Sequence, residues 1–224
     1  MTAVRPIIIA VDGPAASGKG TLSRRIASYY ELAYLDTGTL YRGVGWVMLS
    51  KNLDPGDEAA AGETARSFSL EQIAGADIRT PDVGRAASRV AALPVVRAAL
   101  LDFQRQFAAK PPHGAAGAVL DGRDIGTVVC PDALVKFYIT AAPEERARRR
   151  HEELRQRDGG LSYEMTLEDI KRRDARDSGR ETAPMRPAAD AQFIDTTKLD
   201  ADAVFARACR FIDNAIEDRN EAVG

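Results

Sequence analysis

Lys19 stands in the stretch "VDGPAASGKGTLSRR" (residues 11–25), behind two glycines, Gly13 and Gly18. A lysine in a glycine-rich turn brings a mobile positive charge to phosphate oxygens. Backbone N–H groups of the turn, and of a helix that follows it, surround the same oxygens. Gly13, Pro14, Ala15, Ala16, Ser17, Gly18, Lys19, Gly20 and Thr21 follow most of the phosphate-loop pattern G-x-x-x-x-G-K-[ST]. They miss its last position, the hydroxyl that such loops set on Mg²⁺. Gly20 stands there, and Thr21 comes one residue later. Either this loop lacks a metal ligand or it is another kind of phosphate loop.

Three further groups of residues could do chemistry with phosphates. "LDTGTLYR" (35–42) offers the Thr37 hydroxyl, the Gly38 N–H and Arg42, whose guanidinium can clamp a phosphate with two parallel bonds. On its own this stretch fits an ordinary helix capped by Asp36 or Thr37 equally well. "VLDGRDIGTVV" (119–129) ends an apolar run on Asp121, a position that sets a carboxylate beside metal-bound water, with Arg123 and Asp124 in the loop beyond. A surface ion pair is the plain alternative for those two. Finally, Arg146, Arg149 and Arg150 share one helical face, as do Arg173, Asp177 and Arg180, with Arg176 at their edge. Such runs are usually solvated faces, and neighbours such as Glu152, Glu153 and Asp174 favour that reading for many of them.

Elements must bring these groups together. "PIIIAV" (6–11) predicts a strand buried on both faces, and "KGTLSRRIASYY" a helix, so the glycine loop joins strand to helix. "LAYLD" predicts a second strand, then a turn at 36–38 and a helix. Residues 58–109 read as helical, broken at "GADIRTPD" and Pro94. Residues 118–122 and 133–140 predict two more strands. A charged helical region spans 143 to about 180, interrupted at 158–160. "QFIDTT" closes the strands, and a last helix carries Val204, Ala208, Phe211 and Ile212 on one face. Alternating strands and helices imply an α/β fold with a central parallel sheet flanked by helices.

Composition sets the background. The chain has 224 residues, 45% hydrophobic, with a formal charge of -2. That length suits one domain with insertions, and that charge offers no general attraction to nucleic acid or anionic membrane. Cys130 and Cys209 form no metal-binding pattern and read as two reduced thiols. The opening residues lack the features of a signal peptide, and no apolar run is long enough to span a membrane. A cytoplasmic monomer is expected.

"GPAASGKGT" resembles the loop of nucleoside monophosphate kinases, in which G-K-G-T replaces G-K-[ST]. Together with "DTGTLYR", "AASRVAALPVVR", "LDGRDIGTVVCPDA", "RRDARDSGR" and "PAADAQFIDTT", in that order, it resembles the bacterial cytidylate kinase family over nearly the whole chain. The resemblance implies a P-loop kinase using ATP and Mg²⁺ to phosphorylate CMP or dCMP. The alternatives are another small-molecule kinase (UMP, dTMP or shikimate) or a P-loop regulator without turnover. It implies that 13–21 hold the ATP phosphates, and that the metal is held mainly by phosphates and waters near Thr21 and Asp121. Thr37, Arg42 and Arg123 would meet the acceptor phosphate, while Ser88, Arg97 and Asp124 would read cytosine. Arg173 and Asp177 would contact the acceptor nucleotide, with Asp177 on a ribose hydroxyl, and Arg180 would reach the phosphates. Lys19, Arg123 and Arg180 would carry catalysis. Arg146, Arg149 or Arg150 would add charge on the ATP side. Residues 38–110 would form the acceptor-binding subdomain and about 146–182 an arginine-rich lid. One departure stands out: where many members carry a β-rich insertion, residues 52–81 here are short and Ala-rich and predict helical segments.

Overall fold

A computed structural model describes residues 6–156 and 162–222. The break expected at 158–160, and the first five residues of the opening segment, lie outside them.

Five strands form one parallel sheet: β1 (Ile7–Asp12), β2 (Ala33–Asp36), β3 (Gly117–Gly122), β4 (Val135–Thr140) and β5 (Gln192–Asp195). Their spatial order is β2-β3-β1-β4-β5. β1 is central, and the pleat sends its successive side chains to opposite faces. Ile9 and Val11 join Val119, Phe137 and Ile194 on one face. Leu22 and Ile26 of α1 (Lys19–Tyr29) cover them, with Val204, Ala208 and Ile212 of α8 (Ala201–Glu221). Ala10 faces the other way, with Leu35, Leu120, Ile125 and Val129. A strand buried on both faces needs no polar alternation, which is why "IIIAV" is apolar throughout.

A third apolar cluster lies beyond the end of the sheet. It joins α2 (Thr37–Ser50), α3 (Glu58–Arg66), α4 (Pro81–Val90) and α5 (Pro94–Ala109) through Leu40, Val44, Met48, Ala65, Val90 and Leu100. At Gly45 a Cβ would lie 2.9 Å from Ala87 N, so the glycine allows α2 and α4 their close crossing. Residues 52–81 contain α3 and one short turn, Leu70–Ile73, and no strand, in line with the helical expectation. α6 (Pro143–Arg155) and α7 (Tyr163–Ser178) pack on each other.

Several boundaries differ from the sequence reading, among them β3, which begins at Gly117 rather than 118, and β5, which ends at Asp195 rather than 197. No turn separates β2 from α2: Asp36 ends the strand and is itself the residue before the helix. β4 begins at Val135 rather than 133, and α7 stops at Ser178. Both cysteines are free thiols, and burial pushes Cys130 up to about 11.

Candidate active site

The loop between β1 and α1 takes its shape from its backbone. Gly13 has φ 146°, and a Cβ there would lie 1.9 Å from the Ile139 carbonyl oxygen of β4. Ala16 and Gly18 also have positive φ, 58° and 87°. Gly18 is the residue before α1; no side chain caps that helix and its first turn holds no acidic residue. Its opening N–H groups and dipole are therefore left for an anion. Lys19 opens the helix, and its Nζ donates to Pro14 O at 3.4 Å. Burial, and the nearby Arg123 guanidinium, bring its ammonium down to about 7, against the opposite pull of Asp121 and Asp36.

Asp121 and Asp36 are opposed in register at the carboxyl ends of β3 and β2. Burial raises Asp121, whose carboxylate accepts from the Tyr34 hydroxyl at 2.6 Å. Burial opposes the charge on Asp36 too, but Arg42 (3.2 Å) and Lys19 hold that carboxyl below the usual range. A Cβ on Gly20 would lie 3.5 Å from Asp121 Oδ2, an ordinary contact. Position 20 thus faces the carboxylate, as the missing hydroxyl would.

From this loop a cleft of about 430 Å³ runs between α2 and α4 on one side and α7 on the other. It brings together every candidate site residue named from the sequence except Gly13 and Pro14 of the loop, Arg146 and Arg149. At its inner end the Arg97 guanidinium pairs with Asp124, donates to Ala91 O at 3.2 Å, and lies over the Tyr41 ring at 5.5 Å. Arg97 and Asp124 are both buried, as is Ser88 on α4. Arg123 does not pair with Asp124: its Nε donates to Asp177 at 3.0 Å. The surface ion pair between these neighbours is therefore not formed. Thr37 uses its hydroxyl proton on Asp121 O at 2.7 Å, joining α2 to β3.

Asp177 is a hub. It pairs with Arg123 and Arg180, with Arg173 at 3.9 Å. Burial opposes its ionisation, yet these three guanidiniums hold the carboxyl below its ordinary range. One carboxylate does not neutralise three cations. Burial and repulsion from Arg123 bring Arg173 down to about 10, and its buried Nε has no hydrogen-bond partner. An anionic ligand would supply the missing charge and acceptors.

The first arginine trio divides between jobs. Arg146 is buried; it donates to Ala141 O, to Ala15 O at 3.4 Å and, through both Nη atoms, to Asp174 at 3.1 and 2.6 Å. It fixes the glycine loop to the α6–α7 pair, and Asp174 belongs to this brace rather than to a solvated face. Arg149 donates to the Thr196 hydroxyl and carbonyl at 2.9 and 2.7 Å. It borders a second hollow of about 340 Å³ with Gly18, Thr21, Leu199 and Val204. Arg150 faces the larger cleft, donating to Arg79 O at 3.4 Å.

Sequence reasoning missed Asp12. This buried carboxylate, at the end of β1, accepts from the N–H groups of Ile125 (2.7 Å) and Gly126 (2.8 Å). It thereby fixes the turn that carries Arg123 and Asp124. Burial outweighs those two bonds and raises it to about 7. Its one sequence signal was a carboxylate closing an apolar strand.

The family model described as cytidylate kinase matches residues 9–214. A cytidylate kinase of Paramagnetospirillum magneticum is 54% identical over 92% of this chain and 97% of its own length. One from Rhizobium meliloti is 49% identical over 95% and 98%, and one from a Methylobacterium species 59% over 83% and 86%. Among solved structures, an uncharacterized protein from Eubacterium ventriosum superposes with a TM-score of 0.53 at 16% identity, over 94% of this chain and 99% of that one, a likeness of fold alone. With its matched span running from β1 into α8, the chain belongs to the cytidylate kinase family.

Proposed function

We propose that the chain transfers the γ-phosphoryl group of ATP to CMP or dCMP, giving ADP and CDP or dCDP. One observation carries this reading. A single cleft leads from the glycine loop, past Arg42, Arg123 and Arg173, to a buried Arg97–Asp124 pair with Ser88 beside it.

The loop, Lys19 and the start of α1 hold the β- and γ-phosphates. Arg42, Arg123 and Arg173 hold the acceptor phosphate in line with them. That phosphate is already an oxyanion, so no general base is required. Catalysis is positioning plus neutralisation of charge that spreads over the transferring group, by Lys19 and the arginines. Asp124 accepts from the cytosine amino group, while Arg97 and Ser88 donate to O2 and N3. A base lacking those groups leaves buried polar atoms unpaired. Residues 38–110 act as the acceptor subdomain and 146–182 as the lid, which excludes water from ATP.

The residues fit Mg²⁺ held mostly by nucleotide phosphates and water. Asp121 and Asp36 lie in register beside Lys19, and position 20 faces Asp121 without a ligating side chain. Asp121, with Thr21 nearby, would hold metal-bound water, and the ion would supply charge at the bridging phosphate oxygens. All the residues assigned here belong to one chain, and no helix among the described residues is long and apolar enough to cross a membrane. Both features support a monomer working in the cytoplasm.

The test is ADP release with ATP and a panel of monophosphates. CMP and dCMP should turn over fastest. Equal rates with UMP or dTMP would refute the cytosine assignment, and ADP release that ignores the acceptor would refute the kinase.

A further inference from the structure

Arg176 belongs to none of the roles assigned so far. It lies on α7, and its Nη1 donates across the cleft to Ser88 Oγ on α4 at 2.6 Å. A guanidinium has five donors and no acceptor, so in this bond the serine oxygen can only accept. Ser88 still has its own proton. A helical serine commonly turns that proton back onto the carbonyl four residues earlier. Among the described residues Ser88 donates to no protein acceptor, and it is buried on the cleft wall.

We propose that Arg176 is a positioning residue that fixes Ser88 as a hydrogen-bond donor to the base, and so helps the acceptor site choose cytosine over uracil. The inference rests on placing cytosine against Ser88 and the Arg97–Asp124 pair. Cytosine presents a bare N3, an acceptor. Uracil presents N3–H, a donor. A serine free to rotate serves either, as acceptor to one and donor to the other. With one lone pair held by the cation, the proton and the second lone pair share the two remaining positions, and turning the lone pair to the base would leave the buried O–H without an acceptor, so the group facing the base is the O–H. Donation from a charged partner also polarises that O–H and makes it a better donor. Uracil then meets donor against donor.

The bond joins the lid helix to an acceptor helix, so the serine is oriented only when α7 lies over α4. Selectivity on this account is completed by closure, the manner in which induced fit adds discrimination to a site that admits both substrates.

The experiment is a double-mutant cycle read as the ratio of kcat/KM for CMP to that for UMP. Arg176→Ala should lower the ratio by about tenfold, the effect of one buried hydrogen bond to the base. In a Ser88→Ala background the same substitution should change it by less than about twofold, because the group that Arg176 orients is gone. Arg176→Met, which keeps the stem but no donor, should reproduce the alanine result and serves if that variant does not fold. An unchanged ratio in Arg176→Ala or Arg176→Met would overturn the proposal. So would an equal fall with and without Ser88, which would mark a general effect of charge. If the unaltered protein itself shows no preference for CMP, it is the cytosine assignment that fails, not the orientation of Ser88.

Discussion

The two ends of the cleft are built in different ways. The proposed ATP end is nine consecutive residues, the six between β1 and α1 and the first three of α1, and its binding groups are mainly backbone N–H. Positive φ at Gly13, Ala16 and Gly18 and the contact with Ile139 O fix its shape. The proposed CMP end draws side chains from α2, α4, α5, the loop after β3, and α7. Carboxylates hold its arginines: Asp36 for Arg42, Asp124 for Arg97, Asp177 for Arg123 and Arg180. A backbone cradle is rigid before any ligand arrives. A side-chain cradle needs resident counter-ions to stay ordered, and a ligand must rearrange some of them. The first arrangement suits phosphates, which all nucleotides share. The second suits the discriminating partner.

Substitutions can test that division. The largest effect should come from Lys19→Ala, which should cut turnover by roughly a thousandfold or more while the fold is kept. CMP affinity measured by calorimetry should stay within about threefold. Near-normal turnover would remove Lys19 from the chemistry. Gly13→Ala forces a Cβ onto Ile139 O at a strained φ. It should destabilise the protein by about 3 kcal/mol or more in denaturant unfolding; an unchanged midpoint would show that the loop is not backbone-limited. Asp124→Ala leaves the buried Arg97 unpaired and should reduce selectivity for CMP over UMP by roughly a hundredfold, with KM for ATP within about twofold. An equal loss on the ATP side would dissolve the distinction between the two ends.

The smallest effect is a proton count. With Lys19 near 7 in the empty protein, its amine is mostly neutral at about pH 8 and mostly charged at about pH 6. A triphosphate favours the ammonium and raises its pKa. ATP binding should take up close to one proton at the higher pH and far less at the lower, read from calorimetry in buffers of different ionisation enthalpy. Uptake that does not vary with pH would place the amine's titration elsewhere.

The same difference governs what could be read from sequence. The ATP end is contiguous, so spacing alone disclosed it, and the apolar β1 and the loop after β3 were legible for the same reason. Residues 52–81 read correctly as helical because nothing there alternates. The expected turn at 36–38 failed because Asp36 serves both strand and helix. The pairings at the CMP end were hidden, since each joins residues far apart: Arg97 to Asp124, Arg123 to Asp177, Arg146 to Asp174. Asp174 looked like surface charge until α6 and α7 were seen to enclose it. Asp12 was hidden differently, because its partners are backbone N–H groups that no residue type announces.

Asp177 occupies the cationic cleft as a built-in substitute for a ligand's charge. Anything that enters must compete with it for the guanidiniums. A nucleotide brings a phosphate dianion to that exchange, whereas a nucleoside brings only hydroxyls and must leave the internal pairing as it was. Cytidine, which carries the whole base and sugar, is on this account a poor competitor of CMP, because it brings no charge to the arginines that Asp177 alone does not neutralise.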